Sequence, residues 1–559
     1  MRLVSLLALL GALALLIPLT SGAAKRQSQE RTFVVLYERG ASAQDGAQAV
    51  KKAGGEILKV NTAVGVATVS SSNENFVSDV SKSSAIAGAA SNRPVGKAPA
   101  ARPADPFAIE RMTAERDRQP GRGRVHRGGG SQPRNEPFAD LQWDMRMINA
   151  TSGKSYSRQR GEGVRVGILD TGIDGSHGDI APNFNRSLSR NFTTDIPLID
   201  GPCEEEPDQS CSDPANVDED GHGTHVAGTV GAPLNRLGMA GVAPDVELVN
   251  LRAGQDSGYF FLQPSVDALT FAGDHGVDVV NMSYYIDPWL YNCTDNPADS
   301  PEEQQEQATI IAATERALAY ARAHGVTLVA AEGNGHTDLG KPTFDDTSPD
   351  YPPGTERERN VDNSCRSMPT EGRNVLGITS LGPSERKAYY SDYGVEQADF
   401  SAPGGDIREG YGTPGYRNPA NTILAPYPKP LAIANEDIDE NGVPTTPFVL
   451  ADCSRGDCQY YQYLQGTSMA SPHAVGVAAL VVAAQGKRDR RHGGLTLSPD
   501  TVERVMQRTA RDHACPNPRT YTYPDPTLTP DFTAYCEGSR EFNGFYGHGI
   551  VDAFAASRR

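Results

Sequence analysis

The segment Val164-Arg-Val-Gly-Ile-Leu169, followed directly by Asp170-Thr-Gly172, decides the fold. A short apolar run bounded by turn residues is typical of a strand that is buried on both faces. Similar runs begin at residues 246, 277 and 326, and segments of helical composition lie between them at 266–273 and 306–324. This alternation predicts an α/β domain with a mainly parallel sheet and helices on both faces. In such sheets the chemistry sits at the carboxyl ends of the strands.

Length and composition exclude several classes of protein. The chain has 559 residues, more than one core of roughly 250–300 residues can use, so more than one domain is expected. Because 38% of the residues are hydrophobic and 22% are charged, a fully disordered chain is excluded. The only long apolar run covers residues 3–19, which excludes a polytopic membrane protein. A net charge of −18 argues against a nucleic-acid binder.

The first 24 residues have the pattern of an export signal. Arg2 is followed by the apolar run, and small residues occupy positions 21–24, where a signal peptidase cuts. A retained membrane anchor is the alternative, because about 17 apolar residues approach the length that spans a bilayer. We favour a cleaved signal peptide over 1–24, and therefore a secreted, extracellular protein with no stable membrane anchor.

Two pieces of opposite charge follow. Residues 25–96 have the pattern of a small α+β unit, too small for high stability alone. Residues 97–138 are a basic linker rich in Gly, Pro and Arg, and 139–559 form the α/β domain. Residues 1–138 hold 19 basic and 11 acidic residues (net +8), which leaves 33 basic and 59 acidic (net −26) for the rest. Within the small unit the expected strands are 31–37, 56–60 and 64–69, and the expected helices are 43–53 and 75–81.

The eight cysteines point to disulfides. An even count in an exported chain allows up to four bridges, in about 105 possible connectivities. Short spacing favours local pairs, and a zinc site would need clustered Cys or Cys/His pairs that this sequence lacks. The favoured pairs are Cys203/Cys211, Cys453/Cys458 and then Cys515/Cys536, with Cys293/Cys365 left by subtraction.

Three motifs carry a possible chemistry. Asp170 ends an apolar strand, His222 lies between two glycines in Asp220-Gly-His-Gly-Thr-His225, and Ser468 lies in Gly466-Thr-Ser-Met469 where a loop becomes an apolar helix. A serine hydroxyl becomes a nucleophile when a histidine accepts its proton. That histidine in turn needs a carboxylate on its other ring nitrogen.

The order Asp, His, Ser resembles that of the subtilisin family (subtilases) of serine endopeptidases, and the similarity extends over residues 139–559. The resemblance implies that Ser468 is the nucleophile, His222 the general base and acid, and Asp170 the orienting carboxylate. Ala330-Ala-Glu-Gly-Asn334 resembles the oxyanion segment, with Asn334 as donor. The alternatives are a catalytically inactive binding protein on the same fold and an ester hydrolase with the same triad. His177, His225 and His473 are expected to be structural.

The resemblance also predicts how substrate binds. Ser283 and Tyr285 on one strand, and Ala331 and Gly333 on another, are expected to line the pocket for the residue before the cut bond. Tyrosine at 285, where the family commonly has glycine, should narrow or reshape that pocket. Glu332 should add a carboxylate nearby. The expected substrates are proteins or peptides that pair with these edges as extended strands.

Two further expectations rest on the resemblance. The loop from residue 233 to 239 resembles a tight calcium site, with all-oxygen ligands as calcium requires. Residues 25–96 resemble an inhibitory propeptide of ferredoxin-like fold, so that the chain is its own intramolecular inhibitor and is cut between about 93 and 138. The expected calcium ligands are the side chains of Asp179 and Asn235 and the carbonyls of Pro233, Leu237 and Met239.

Overall fold

The structure is a computed structural model that describes residues 31–93, 123–126, 136–205 and 209–558. The expected signal peptide and most of the expected linker lie outside the described residues.

The N-terminal unit is a four-stranded antiparallel sheet with two helices, connected β-α-β-β-α-β. Phe33, Val35, Val69 and Phe76 are buried between the sheet and the helices. The sheet order is β2-β3-β1-β4, a ferredoxin-like arrangement. Its elements are β1 (Arg31–Tyr37), α1 (Ala43–Lys52), β2 (Gly55–Asn61), β3 (Val66–Ser71), α2 (Phe76–Val80) and β4 (Ile86–Arg93).

Strand β4 was not expected from the sequence. Its residues, Ile-Ala-Gly-Ala-Ala-Ser-Asn-Arg, are mostly small and have low strand propensity. The strand forms because it pairs with β1, with Ala90 opposite Val34, and because small residues allow a helix of the large domain to approach. A Cβ at Gly88 would lie 2.4 Å from Thr309 Oγ1, so this contact requires glycine. Tertiary packing therefore outweighs local propensity here.

The remaining strands and helices belong to the large domain, apart from the linker strand β5. In chain order the strands are β5 (Val125–His126), β6 (Arg165–Leu169), β7 (Arg190–Asn191), β8 (Glu247–Arg252), β9 (Val279–Met282), β10 (Thr327–Ala331), β11 (Phe344–Asp345), β12 (Arg359–Asn360), β13 (Val375–Leu381), β14 (Ala398–Pro403), β15 (Ile423–Tyr427), β16 (Val449–Asp452), β17 (Gln459–Leu464), β18 (Lys487–Arg488), β19 (Leu495–Thr496), β20 (Thr520–Tyr521) and β21 (Ala534–Tyr535). The helices are α3 (Trp143–Met147), α4 (His222–Gly231), α5 (Leu262–Asp274), α6 (Pro301–Ala323), α7 (Lys429–Ala434), α8 (Thr467–Gln485), α9 (Pro499–Thr509) and α10 (Ala553–Ala556).

A seven-stranded sheet organises the large domain. Its order is β14-β13-β10-β9-β6-β8-β7, and each neighbouring pair is parallel. Helices α4 and α8 share one core cluster with one face of the sheet, and α5 and α6 share a second cluster with the other face. The predicted parallel sheet with helices on both faces is confirmed. The four predicted strands correspond to β6, β8, β9 and β10.

Helix α8 is the central helix of the core. Among the described residues it is the one helix long and apolar enough to cross a membrane, and 89% of its most apolar window is buried inside the protein. It begins at Thr467, directly after Gly466, so that Ser468 lies in its first turn. The fold thus places this serine at the same end of the core as the carboxyl edge of the sheet.

A second, four-stranded sheet has the order β15-β17-β16-β5, and β5 comes from the expected linker. Ala451 and Cys453 of the β16 segment donate their backbone N–H groups to the carbonyls of Arg124 (3.0 Å) and His126 (2.9 Å). An edge strand has unpaired backbone groups, and here the linker satisfies them. Residues 123–126 are therefore ordered against the large domain, which the linker composition did not predict.

Four disulfides are present, in the favoured pairing. The pairs are Cys203–Cys211, Cys293–Cys365, Cys453–Cys458 and Cys515–Cys536. Three close short loops, and Cys293–Cys365 joins residues 72 positions apart.

Candidate active site

Asp170 follows the last residue of β6, at the carboxyl edge of the sheet, and is fully buried. Its Oδ1 accepts hydrogen bonds from the backbone N–H of Thr171 (2.8 Å) and from Nδ1 of His222 (2.7 Å). Burial raises the pKa of Asp170, and the neighbouring His222 ring and the hydrogen bonds oppose that rise. This geometry is that of a carboxylate that holds an imidazole in one orientation.

His222 is the first residue of α4 and is 2% exposed. The preceding Gly221 has φ 93°, a left-handed conformation that glycine adopts without strain. The backbone N–H of His222 donates to Asp220 Oδ1 at 3.0 Å. The glycine beside the histidine thus lets the chain turn sharply into the helix while the ring stays against Asp170.

Ser468 lies in the first turn of α8 and is 3% exposed. Its Oγ lies 3.5 Å from the carbonyl oxygen of Ser283, and Ser283 Oγ donates to the Ser468 carbonyl at 3.3 Å. Helix α8 packs against α4, the helix that begins at His222. The serine is therefore located between the strand end at 283 and the helix that carries the histidine.

Asn334 lies beside the start of α8. Its Oδ1 accepts two hydrogen bonds from Thr467, one from the backbone N–H and one from Oγ1, both at 3.0 Å. Thr467 Oγ1 in turn accepts the backbone N–H of Gly333 at 3.1 Å. Because the amide oxygen is held by these donors, the Nδ2 end is the donor end of the side chain. The oxygen end of the Asn334 amide therefore faces the start of α8.

The four expected substrate-binding residues lie at the ends of β9 and β10. Ala331 is the last residue of β10, and its carbonyl accepts Thr370 Oγ1 at 2.7 Å. Gly333 has φ 117°, and a Cβ there would lie 2.3 Å from Asp392 Oδ2. Ser283 follows β9. These positions leave the backbones of two neighbouring strand ends side by side, since β9 and β10 are paired in the sheet.

The side chains of Tyr285 and Glu332 both lie against other parts of the protein. The Tyr285 hydroxyl donates to Asp350 Oδ2 at 2.6 Å. Glu332 is 2% exposed, and a Cβ at Gly377 would lie 2.1 Å from its Oε1, so its carboxyl lies against β13. Burial raises the pKa of Glu332 well above its usual range, and the neighbouring Asp399 adds to the rise.

A model of the subtilase family matches residues 161–549. The chain belongs to the subtilase family. Relatives by sequence include Subtilisin DY of Bacillus licheniformis, 26% identical over 324 residues, which covers 58% of this chain and 78% of that protein. Subtilisin BL of Lederbergia lenta is 26% identical over 339 residues, which covers 61% and 83% respectively. This subtilase is therefore a serine-type endopeptidase with protein or peptide substrates.

A solved structure supports the fold of this subtilase. The epidermin leader peptide processing serine protease (EpiP) of Staphylococcus aureus matches with a TM-score of 0.60 at 20% identity. The match covers 95% of this chain and 98% of that chain.

Three other histidines are hydrogen-bonded to structural groups. Nε2 of His225 lies 3.1 Å from the Ile423 carbonyl and 3.2 Å from the Gln462 carbonyl. Nε2 of His177 lies 3.0 Å from the Tyr460 carbonyl. In the same way His473 joins the carbonyl of Met469 (2.8 Å) to the carboxyl of Asp144 (3.1 Å). These contacts agree with the structural roles expected from the sequence.

The loop expected to bind calcium contacts Asp179, but its groups mostly donate hydrogen bonds to the Asp179 carboxylate. Asp179 Oδ1 accepts Asn235 Nδ2 at 2.9 Å. Its Oδ2 accepts the Met239 N–H at 3.1 Å and the Tyr461 hydroxyl at 2.8 Å. Asn235 Oδ1 accepts the N–H of Leu237 at 2.8 Å. Asn235 and Met239 thus face Asp179 with nitrogen atoms. A cation beside Asp179 would require the Asn235 amide to flip, so that its Oδ1 replaces its Nδ2.

Sequence reasoning missed a buried charge cluster at the end of β8. The guanidinium of Arg252 contacts the carboxylates of Asp195 and Asp256 at 2.8 Å each and also that of Asp213. In the described part of the chain these three form the one group of acidic ligands close enough to hold a metal. Because the arginine already contacts all three, it supplies the cation. No local sequence signal joins residues this far apart.

Proposed function

We propose that Ser468, His222 and Asp170 hydrolyse peptide bonds through an acyl-enzyme. The observation that carries this proposal is the buried 2.7 Å hydrogen bond between His222 Nδ1 and Asp170 Oδ1. With the ring proton on Nδ1, where it faces the Asp170 carboxylate, Nε2 is the base. The alternative of an inactive family member has no support in the site, since every expected chemical group is present.

The reaction has two halves. In the first, Ser468 Oγ bonds to the carbonyl carbon of the substrate while its proton passes to His222 Nε2. The tetrahedral intermediate then collapses, the C–N bond breaks, and the same proton goes to the departing amine. In the second half, a water gives its proton to Nε2 and attacks the ester, and Ser468 Oγ leaves with that proton.

The negative charge of each tetrahedral intermediate needs a donor that is already in place. We assign this role to Asn334 Nδ2 together with the backbone N–H of Ser468. The two hydrogen bonds from Thr467 to Asn334 Oδ1 support the assignment because they hold the amide before substrate arrives. A donor that needs no reorganisation stabilises the transition state most.

We propose further that an extended substrate binds along the strand ends at Ser283 and Ala331–Gly333. β9 and β10 are interior strands, so the substrate would pair with the backbone groups just beyond their carboxyl ends, where the sheet pairing stops. Because the Tyr285 hydroxyl bonds to Asp350 inside the protein, the pocket beside it should be shorter than one bordered by glycine. We therefore expect small residues before the cut bond in this enzyme.

A phosphonofluoridate probe tests the triad. It labels a serine only when a neighbouring base activates it, so the mature protein should be labelled at Ser468, and the Ser468→Ala variant should not. Comparison of casein with a short ester separates a peptidase from an esterase. A folded wild-type protein that takes up no label would refute the proposed function.

Residues 25–96 we assign as an inhibitory propeptide of a secreted zymogen. The support is the contact of the N-terminal unit with α5 and α6. Val34, Leu36 and Val66 share a buried cluster with those helices. Lys59 Nζ and Asn61 Nδ2 both bond to Asp267, at 2.7 and 2.8 Å.

Processing of the chain tests this assignment. The Ser468→Ala protein, produced in a host without proteases, should stay uncut, and the wild-type chain should be cut after the N-terminal unit. Normal cleavage of the Ser468→Ala chain would show that another protease is responsible.

Calcium binding by the 233–239 loop is also a proposal. Its support is the second acceptor of Leu237, whose N–H donates to Glu136 at 2.9 Å as well as to Asn235 Oδ1. That bond would let Asn235 Oδ1 turn toward an ion without leaving Leu237 unpaired. Elemental analysis of the purified protein and its melting temperature with and without a chelator test the proposal.

A further inference from the structure

Asp218 lies four residues before His222, in the loop that leads to α4, and is 4% exposed. Four donors converge on its carboxylate. Oδ1 accepts Thr171 Oγ1 at 3.1 Å and the backbone N–H of Gly221 at 2.9 Å. Oδ2 accepts the backbone N–H and the hydroxyl of Thr224, at 2.9 and 2.5 Å.

These donors come from the two segments that carry the catalytic dyad. Thr171 follows Asp170, and its backbone N–H donates to the carboxylate of Asp170. Gly221 precedes His222, and Thr224 is two residues after it. Thr171 Oγ1 also accepts the N–H of Gly223 at 3.0 Å. One buried carboxylate thus joins the end of β6 to the first turn of α4.

We propose that Asp218 is a positioning residue for the reaction: it holds Asp170 and His222 in place by joining the chain segments that carry them. The proposal rests on the function proposed for Ser468, His222 and Asp170. Asp218 touches neither substrate nor the reacting atoms, so its effect passes through Thr171 and the backbone on each side of His222.

The chemistry of the site requires a carboxylate. An ionised aspartate only accepts hydrogen bonds, and it can accept one at each of about four lone-pair sites. An asparagine has the same shape but presents an NH2 group, which would oppose at least one of the four donors. The start of a helix also stabilises a negative charge. The charge of Asp218 lies close enough to Asp170 to contribute to its raised pKa, after the larger effect of burial.

A purely structural role and a positioning role predict different results. If Asp218 only stabilised the loop, its loss would lower the melting temperature and leave the turnover of the folded protein unchanged. If it positions the dyad, kcat falls in protein that is fully folded. KM should change little, because the strand ends at Ser283 and Ala331 are not in contact with Asp218.

The experiment compares Asp218→Asn with the wild-type enzyme and with Asp174→Asn as a matched control. Asp174 lies in the loop after β6, which is hydrogen-bonded to the Asp218 loop through the Gly175 N–H and the Asn216 carbonyl, and its carboxylate bonds only locally, to the backbone N–H and hydroxyl of Ser176. We expect kcat on a peptide amide to fall 10- to 100-fold in Asp218→Asn, with KM within threefold, and to stay within twofold in Asp174→Asn. Equal turnover of folded Asp218→Asn and wild type would overturn the proposal.

Two additions keep the result interpretable. If Asp218→Asn does not fold, Thr171→Val removes one donor to Asp218, together with the acceptor of the Gly223 N–H, and should still lower kcat about fivefold. Unchanged kcat would count against the proposal. NMR of full-length Ser468→Ala protein detects the low-field proton resonance of the His222–Asp170 hydrogen bond. This resonance reports the geometry of that hydrogen bond in a protein that turns over no substrate. It should shift or broaden in the Asp218→Asn double variant. If the wild type is inactive but the double variant shows the shift, only the proposed function is refuted. If the wild type is active but the double variant shows no shift, the positioning role is refuted.

Discussion

Asp267 offers the sharpest test of how the N-terminal unit is held. It lies on α5, its side chain is 7% exposed, and it accepts one bond from Lys59 (2.7 Å) and one from Asn61 (2.8 Å). Asp267→Ala removes both bonds. Asn61 Nδ2 keeps a second partner, Thr270 Oγ1 at 2.7 Å, so the variant removes one of its two hydrogen bonds and leaves the other in place.

The magnitude follows from the exposure of each partner. The Lys59 side chain is 57% exposed, so solvent screens its ion pair and we assign it about 0.5 kcal/mol. The bond from Asn61 to a buried carboxylate is worth about 1.5 kcal/mol. Together they amount to about 2 kcal/mol, which is a factor of roughly 30 in the equilibrium between docked and undocked forms.

Hydrogen exchange of the full-length Ser468→Ala protein measures this equilibrium. Peptides from the docked faces of β4 and α6 should exchange roughly 30-fold faster in Asp267→Ala, provided that reclosing is faster than exchange. Asp274→Ala is the control, because Asp274 lies on the same helix but bonds to Tyr320 and not to the N-terminal unit. Unchanged exchange in Asp267→Ala, or an equal increase in the control, would refute the reasoning.

Three other predictions concern pH, catalysis and stability. Glu306 on α6 accepts the backbone N–H of Ser91 from the N-terminal unit, and burial raises its pKa to about 7. The docked form therefore binds the proton of Glu306 more tightly than the undocked form. Docking should be strongest below the ordinary carboxyl pKa, and the docking equilibrium constant should fall more than about tenfold as pH rises to 7. Glu306→Gln should remove this dependence in the same exchange assay, and a pH-independent wild type would contradict it. Asn334→Ala should lower kcat about 100- to 1,000-fold with little change in KM, which is the effect of removing one oxyanion donor from subtilisin itself; kinetics within tenfold of wild type would argue against the donor role. Replacing both Cys293 and Cys365 by serine should lower the unfolding free energy by about 4 kcal/mol, because the bridge closes a long loop. Denaturant titration measures that loss. A loss of unfolding free energy below about 1 kcal/mol would contradict the prediction, because the bridge would then restrict the unfolded chain very little.

Local pattern predicted much of the fold and of the candidate site. The apolar run at β6 identified a buried strand, and the three motifs named Asp170, His222 and Ser468 without knowledge of their distances. Such features are visible because strand burial, helix starts and catalytic chemistry each restrict residue type within a few positions. Strand β4 was not predicted because its small residues have no strand preference. It forms because it pairs with β1 and contacts α6.

The directions of two side chains near the cleft show the limit of this reasoning. The sequence places Tyr285 and Glu332 beside the expected pocket, yet one bonds to Asp350 and the other lies against β13. Their direction depends on partners that are distant in the chain. The same holds for Asp179, whose neighbours proved to be mainly donors of hydrogen bonds.

The amino-acid order alone determined that this chain is a subtilase-like α/β protein with a serine, a histidine and an aspartate suited to one reaction. Which groups support those three depends on the folded arrangement, as Asp218 illustrates. Its carboxylate accepts a hydrogen bond from Thr171, which lies 47 positions earlier in the chain. The physical reason is that strand and helix periodicity are local properties of the chain, whereas a buried carboxylate is satisfied by whichever donors folding brings to it.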